Sequence, residues 1–245
     1  MGTRALINCD MGESFGIFSC GDDKAIMPHI DLANVACGFH AADPMVMHGT
    51  VRLAKAHNVK VGAHPSFPDL QGFGRREMKM GRDELAACIV YQIGALKAFL
   101  DIEEMPLNHI KPHGALYGAA SRDAEVAHAV ADAAVHFNVP VLGMANTRHE
   151  DVYTARGLPF LAEYYCDLDY NDDGSLIISR LHDRRDIEEA VSRSLAVLTD
   201  GKAKSINGAI FPMRADCICL HSDTPGAEAL AQSLHTAVAE YASRR

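Results

Sequence analysis

Val59-Lys60-Val61-Gly62-Ala63-His64 is an apolar run, broken only by Lys60, that stops on a histidine. Its length suits a buried strand, and a titratable group at its end suits the rim of a parallel sheet, where sites are usually assembled. Three further runs end the same way: residues 35–40 on His40, 109–113 on His113 and 217–221 on His221. One such histidine can be a hydrogen-bonded core residue and nothing more. Four at equivalent strand ends point to a rim that carries chemistry and to an enzyme.

Outward from these runs, strand-like and helix-like patterns alternate, which predicts βα units and a parallel sheet. Strands are expected over 5–9, 32–39, 59–63, 107–111, 140–144, 160–166 and 217–220. Asp43-Pro44 reads as a helix N-cap followed by proline at the first helical position, with the helix running to His57. From Asp83 the spacing Leu85, Ile89, Ile93, Leu96, Leu100 has helical period. Further helices are expected over 123–137, 149–156 and 185–198 and after Pro225, while 206–213 is ambiguous. Asn171-Asp172-Asp173-Gly174 reads as a turn, with 176–179 a hairpin arm returning from strand six. Seven parallel strands predict an irregular seven-stranded (β/α) barrel, TIM-barrel-like. No linker divides residues 1–245, so one domain is expected.

Composition removes several classes. With 23 Lys and Arg against 32 Asp and Glu the net charge is −9, so the broad positive field of a nucleic-acid groove is missing. Apolar stretches read as strand-sized, short of the roughly 20 residues that span a bilayer. The segment from Met1 to Asp10 lacks the apolar region of a secretory signal, and the 7 cysteines are odd in number and scattered. Both fit a reduced, cytoplasmic chain.

Side chains at the C-terminal ends of barrel strands converge on one pocket. By that rule the pocket gathers Asn8, Asp10, Glu13, His40, Asp43, His64, Asp69, Lys111, His113, Asp167, His221 and Asp223. Alternate strand residues share a face, so His109, Lys111 and His113 point inward together. A lysine in an apolar strand needs a partner, and Asp10 or Asp167 would serve. The Pro- and Gly-rich segment from Gly62 to Arg76 can hold Arg75 and Arg76 toward an anion, or be a rigid connector with a solvated basic tip. Asp10, His40 and His64 are candidate ligands for a divalent metal, Mg or Zn, though no H-E-x-x-H or comparable spacing fixes them. Neither G-x-S-x-G nor a P-loop is present.

Asn8-Cys9-Asp10-Met11-Gly12-Glu13-Ser14, Ala36-Cys37-Gly38-Phe39-His40-Ala41, the Gly62 to Arg76 segment, Lys111-Pro112-His113-Gly114-Ala115-Leu116-Tyr117 and His221-Ser222-Asp223-Thr224-Pro225 resemble, in order, the motifs of the LamB/YcsF family of lactam-utilisation proteins. The resemblance implies a seven-stranded barrel related to polysaccharide deacetylases. It also implies ATP-dependent opening of 5-oxo-L-proline to L-glutamate, as an A subunit working with partner subunits B and C. The chain departs from the family pattern at Leu168, where arginine is usual, and at Ala42 and Ser222, where glycine is usual. For that reaction Asp10 or His64 would activate water, Lys111 would meet oxyanion or phosphate charge, and His113 or His221 would deliver a proton. Asn8, Glu13, His40, Arg75, Arg76, Asp167 and Asp223 would bind substrate. The alternatives are a stand-alone metal-dependent deacetylase or amidase, and a substrate-binding subunit whose catalysis lies in its partners.

Overall fold

The computed structural model describes residues 4–179 and 181–244, so the reading of the segment from Met1 falls partly outside it. The elements follow in order as β1 (Leu6–Met11), α1 (Asp23–Ile26), β2 (Leu32–Ala36), α2 (Pro44–Ala56), β3 (Lys60–His64), α3 (Arg82–Ile102), α4 (Gly114–Arg122), α5 (Ala124–Ala134), β4 (Val141–Gly143), α6 (Arg148–Ala155), β5 (Phe160–Tyr165), β6 (Asp169–Tyr170), β7 (Leu176–Ile177), α7 (Ile187–Asp200), β8 (Lys202–Lys204), β9 (Ile210–Pro212), β10 (Cys217–His221) and α8 (Ala227–Ser243).

Six strands form one parallel sheet in the order β3-β2-β1-β10-β5-β4. The strands are buried on both faces, which is why they read as apolar runs and not as alternating ones. Register sets the rim: Asp10 stands level with Asn34 and with His221, and Ala36 with His64. The helices cover the outside. The alanine-rich α5 lets α3, α4 and α6 approach it closely.

The strand expected over 107–111 contracts to single bridges at Ile110, to Ala63 on one side and Val141 on the other. Pro106 and Pro112 bracket the segment and deprive it of ladder donors at both ends. It still joins the two edges of the sheet. Asn108 N–H donates to Val61 (2.8 Å) and Lys111 N–H to Ala63 (2.9 Å), while Ile110 N–H donates to Pro140 (2.9 Å) and its carbonyl accepts from Leu142 (2.9 Å). Two other expectations change. Residues 114–122 form a helix, α4, hidden by the glycine that begins it, and 206–213 contains one arm of the antiparallel β8–β9 ribbon. The hairpin arm β7 pairs with β6 and not with the body of strand six.

Asp43 caps α2 as the sequence predicts, accepting from Met45 N–H (2.7 Å) and Val46 N–H (3.1 Å). The periodic stripe of α3, Leu85, Ile89, Ile93, Leu96 and Leu100, is buried. Contrary to the strand-sized reading of its apolar stretches, the described residues include one helix, α3, long and apolar enough, at a mean hydropathy of 1.6, to span a bilayer. About 33% of that apolar stretch is buried inside the molecule, the stripe from Leu85 to Leu100 included.

Candidate active site

At the C-terminal end of the sheet, β1 turns Asn8 and Asp10 to the same side, two residues apart. Lys111 comes in from the joining segment and its Nζ lies 2.9 Å from Asp10 Oδ1, 3.5 Å from Glu163 Oε2 and 2.9 Å from Cys219 Sγ. Asn34 Nδ2 donates to both Asn8 Oδ1 and Asp10 Oδ1, at 2.8 Å each, and His109 Nε2 holds Asn34 Oδ1 at 2.7 Å. The His109 ring fits because residue 62 is glycine: a Cβ there would overlap it. Burial alone would lower the Lys111 pKa, but Asp10, Cys219 and Glu163 together outweigh it, so the pKa is raised and the ammonium is kept. Burial likewise opposes ionisation of Asp10, yet His64 and Lys111 hold its carboxyl well below the ordinary range.

Beside this pair stands a buried histidine cluster. His64 Nδ1 meets the Lys111 carbonyl at 2.7 Å, and its Nε2 lies 3.2 Å from Asp10 Oδ2 and 2.9 Å from His113 Nδ1. His113 Nε2 meets the Phe73 carbonyl at 2.8 Å. The rings of His40 and His113 are stacked, 3.7 Å between centroids and 6° apart, with Glu13 Oε1 3.1 Å from His40 Nε2 and 3.4 Å from His113 Nδ1. Gly74, at φ +64°, closes over them, and a Cβ there would lie 2.7 Å from His113 and 2.8 Å from the His40 Cβ. Burial pushes both His40 and His113 toward the neutral imidazole and pushes the Glu13 carboxyl up. Glu13, His40, His64 and His113 bring their ligand atoms within 4.8 Å of one another, so this buried group has the donors and the spacing to hold a metal ion.

On the other side of Asp10, His221 Nε2 lies 3.5 Å from Asp10 Oδ2, and its Nδ1 faces Asp167 Oδ1 at 3.1 Å. Asp167 is itself fixed by the His221 amide (2.8 Å) and Thr224 Oγ1 (2.9 Å). Burial works against the imidazolium, but Asp167 prevails and the His221 pKa is raised above 6.5. At the rim Asp223 bridges Arg75 (2.8 Å) and His182 (3.0 Å). The cavity between rim and floor measures about 20 Å³, room for one water. Its far wall is Tyr117, Tyr165, Leu168, Leu176 and Ile178.

Residues 6–244 match the sequence profile of the LamB/YcsF family. The chain belongs to the LamB/YcsF family. It is 46% identical over 245 residues to the lactam utilization protein lamB of Emericella nidulans, covering 97% of this chain and 95% of that one. A Chloroflexus aggregans protein named as the A subunit of 5-oxoprolinase is 46% identical over 237 residues, covering 93% and 92% of the two chains. The crystal structure of a lactam utilization protein from Thermus thermophilus superposes with a TM-score of 0.90 at 41% identity, covering 98% of each chain.

In this LamB/YcsF chain, Asp10, His64, Lys111, His113 and His221 meet in one pocket, as their strand-end positions predict. The Lys111 partner is Asp10; Asp167 lies behind His221 instead. Asn8 sits one layer below, within 3.4 Å of Lys111. The two arginines separate. Arg75 is 4% exposed and faces the cavity, whereas Arg76 is 53% exposed and clasps Asp69 on its own loop. Asp43 serves its helix cap. Of the three metal candidates, His40 and His64 fall with Glu13 and His113, while Asp10 groups with Cys219 and His221. Asn34, Glu163, Tyr165 and His182 complete the site and escape the strand-end reading. For the first two a signal exists, a single polar residue inside a buried strand. Ala42, where the family pattern has glycine, is held at φ +69°, a left-handed conformation that glycine adopts without strain.

Proposed function

We propose that the chain opens 5-oxo-L-proline to L-glutamate as the A subunit of a cytoplasmic, ATP-dependent 5-oxoprolinase, together with subunits B and C. Support comes from its family, from relatives named for lactam use and 5-oxoprolinase, and above all from one observation. A buried carboxylate, Asp10, is flanked by the Lys111 ammonium on one oxygen and by His64 and His221 on the other.

A lactam is a stabilised amide, so ATP serves as co-substrate by phosphorylating the oxygen on the lactam carbonyl carbon, with ADP leaving. Water then adds to that carbon, the C–N bond breaks with protonation of nitrogen, and a second water releases phosphate from the acyl phosphate. In this reading Arg75 takes the substrate carboxylate in exchange for Asp223, and Tyr117, Tyr165 and Leu168 cover the ring methylenes. Asp10 Oδ2, with His64 beside it, receives the water's proton. Lys111 meets charge developing on oxygen, and His221, held by Asp167, protonates nitrogen. The residues Glu13, His64 and His113 suit a metal ion, which would supply Lewis-acid polarisation of water.

The test is glutamate release from 5-oxoproline by the chain alone and reconstituted with B and C. Lys111→Ala is expected to cost roughly 100- to 1000-fold in kcat with the complex still assembled. Undiminished turnover by that variant would discard the assignment. ATP-independent turnover by the isolated chain would replace it with a stand-alone amidase.

A further inference from the structure

We propose that His64 Nε2, His113 Nδ1 and a Glu13 carboxylate oxygen form a site for one divalent transition-metal ion, and that His40 holds Glu13 without ligating. The argument begins with the ring nitrogens that face backbone. A carbonyl oxygen only accepts, so His64 Nδ1 and His113 Nε2, at 2.7 and 2.8 Å from carbonyls, each carry a hydrogen. A neutral imidazole has one N–H. The two remaining nitrogens face each other across 2.9 Å, with Glu13 Oε1 3.4 Å from one and Asp10 Oδ2 3.2 Å from the other, so the four atoms converge on one point that a proton or a metal ion has to occupy. Convergent lone pairs in a dry site repel unless something positive lies among them.

Geometry favours an ion there. Ligand atoms about 2.0–2.2 Å from a tetrahedral zinc-type ion stand roughly 3.3–3.6 Å apart; His113 Nδ1 and Glu13 Oε1 at 3.4 Å fit that, and His64 Nε2 and His113 Nδ1 at 2.9 Å part slightly to admit the ion. The rings of His64 and His113 are 89° apart, so both planes can contain one ion. An ion in the His113 plane lies a full ring spacing from the plane of the stacked His40, which removes His40 as a ligand. Its Nε2 reaches Glu13 Oε1 at 3.1 Å instead, while Glu13 Oε2 is buried without a partner and free to bind. Backbone carbonyls on the outer nitrogens of both ligands are the usual way such histidines are oriented. The water-sized cavity bordering His64 and His113 leaves an open coordination position toward Asp10 and Lys111. Two imidazoles and a carboxylate suit Zn²⁺, Co²⁺ or Mn²⁺ better than Mg²⁺.

This inference is independent of which substrate the pocket takes, and its test reads metal alone. The full-length chain, stripped with chelator and dialysed, is titrated with Co²⁺ and Zn²⁺ by calorimetry and visible absorption. One equivalent is expected, with Co²⁺ d–d bands that Zn²⁺ abolishes. His113→Gln and Glu13→Gln, checked for folding by circular dichroism, should lose the bands. His40→Gln should keep the stoichiometry with affinity weakened roughly 10- to 100-fold. A native chain that takes up only a small fraction of an equivalent overturns the proposal and leaves a shared proton between His64 and His113. Unchanged binding in folded His113→Gln overturns the ligand assignment.

Discussion

Two carboxyls, Asp167 and Asp23, show opposite uses of burial. Asp167 keeps a lowered pKa against burial because His221 faces it, and His221 gains a raised one. If the His221 imidazolium protonates the leaving nitrogen, activity falls as pH rises through its folded pKa, above 6.5. Asp167→Asn lowers that pKa, so the alkaline limb of kcat should move to lower pH, while a limb that stays put would remove His221 from the role. Asp23 accepts from Gly12 N–H at 2.8 Å, but burial dominates and raises its pKa to about 6. A carboxyl raised on folding favours the folded state as pH falls from above 6 toward its ordinary 3.8. Asp23→Asn should erase that gain, roughly 2–3 kcal/mol between about pH 7 and 4, in urea unfolding compared with the native chain. At this scale the sequence reads unevenly. Asp10 and Lys111 are legible because a charge in an apolar strand has to face a partner. Nothing in the adjacent pair Arg75-Arg76 tells which one turns inward; that depends on Gly74 in its left-handed turn.

Caps and closing hydrogen bonds decide where elements begin and where they meet. The Asp43 side chain serves α2 through two amides and the Gly16 amide (2.8 Å) as well. Asp43→Ala should lower the midpoint of urea unfolding, because two helix amides and the Gly16 amide lose their acceptor together. Ile110 is fully buried and both its backbone groups are paired across the join. Ile110→Ala should cost roughly 2–5 kcal/mol, and Ile110→Pro, which also loses the bond to Pro140, should prevent the chain from accumulating folded. Helix α3 and the capped α2 can be read directly, since periodicity and Asp-Pro are local signals. The join cannot, because its pairing partners are distant in sequence and its flanking prolines shorten it below strand length.

For the whole molecule, the resting cavity has room for one water, so the proposed function requires the Arg75–Asp223–His182 rim to part before a lactam enters. Ligand binding should then show as stability. At about a hundredfold excess over Kd, 5-oxo-L-proline adds about 2.7 kcal/mol, roughly 5 °C in Tm for a chain this long, and Arg75→Gln should abolish the shift. The parallel sheet and its active rim are legible from the alternation of patterns and the strand-end histidines. The rim's closure is not, because the loop carrying His182 has no periodicity to place it. The join at Ile110 also ties the wall to the pocket. Lys111 sits one residue beyond the bridge between the sheet's two edges, so one short stretch of chain both closes the wall and brings the ammonium to Asp10. A substitution that opens the join should therefore displace Lys111 as well, and lose site and stability together.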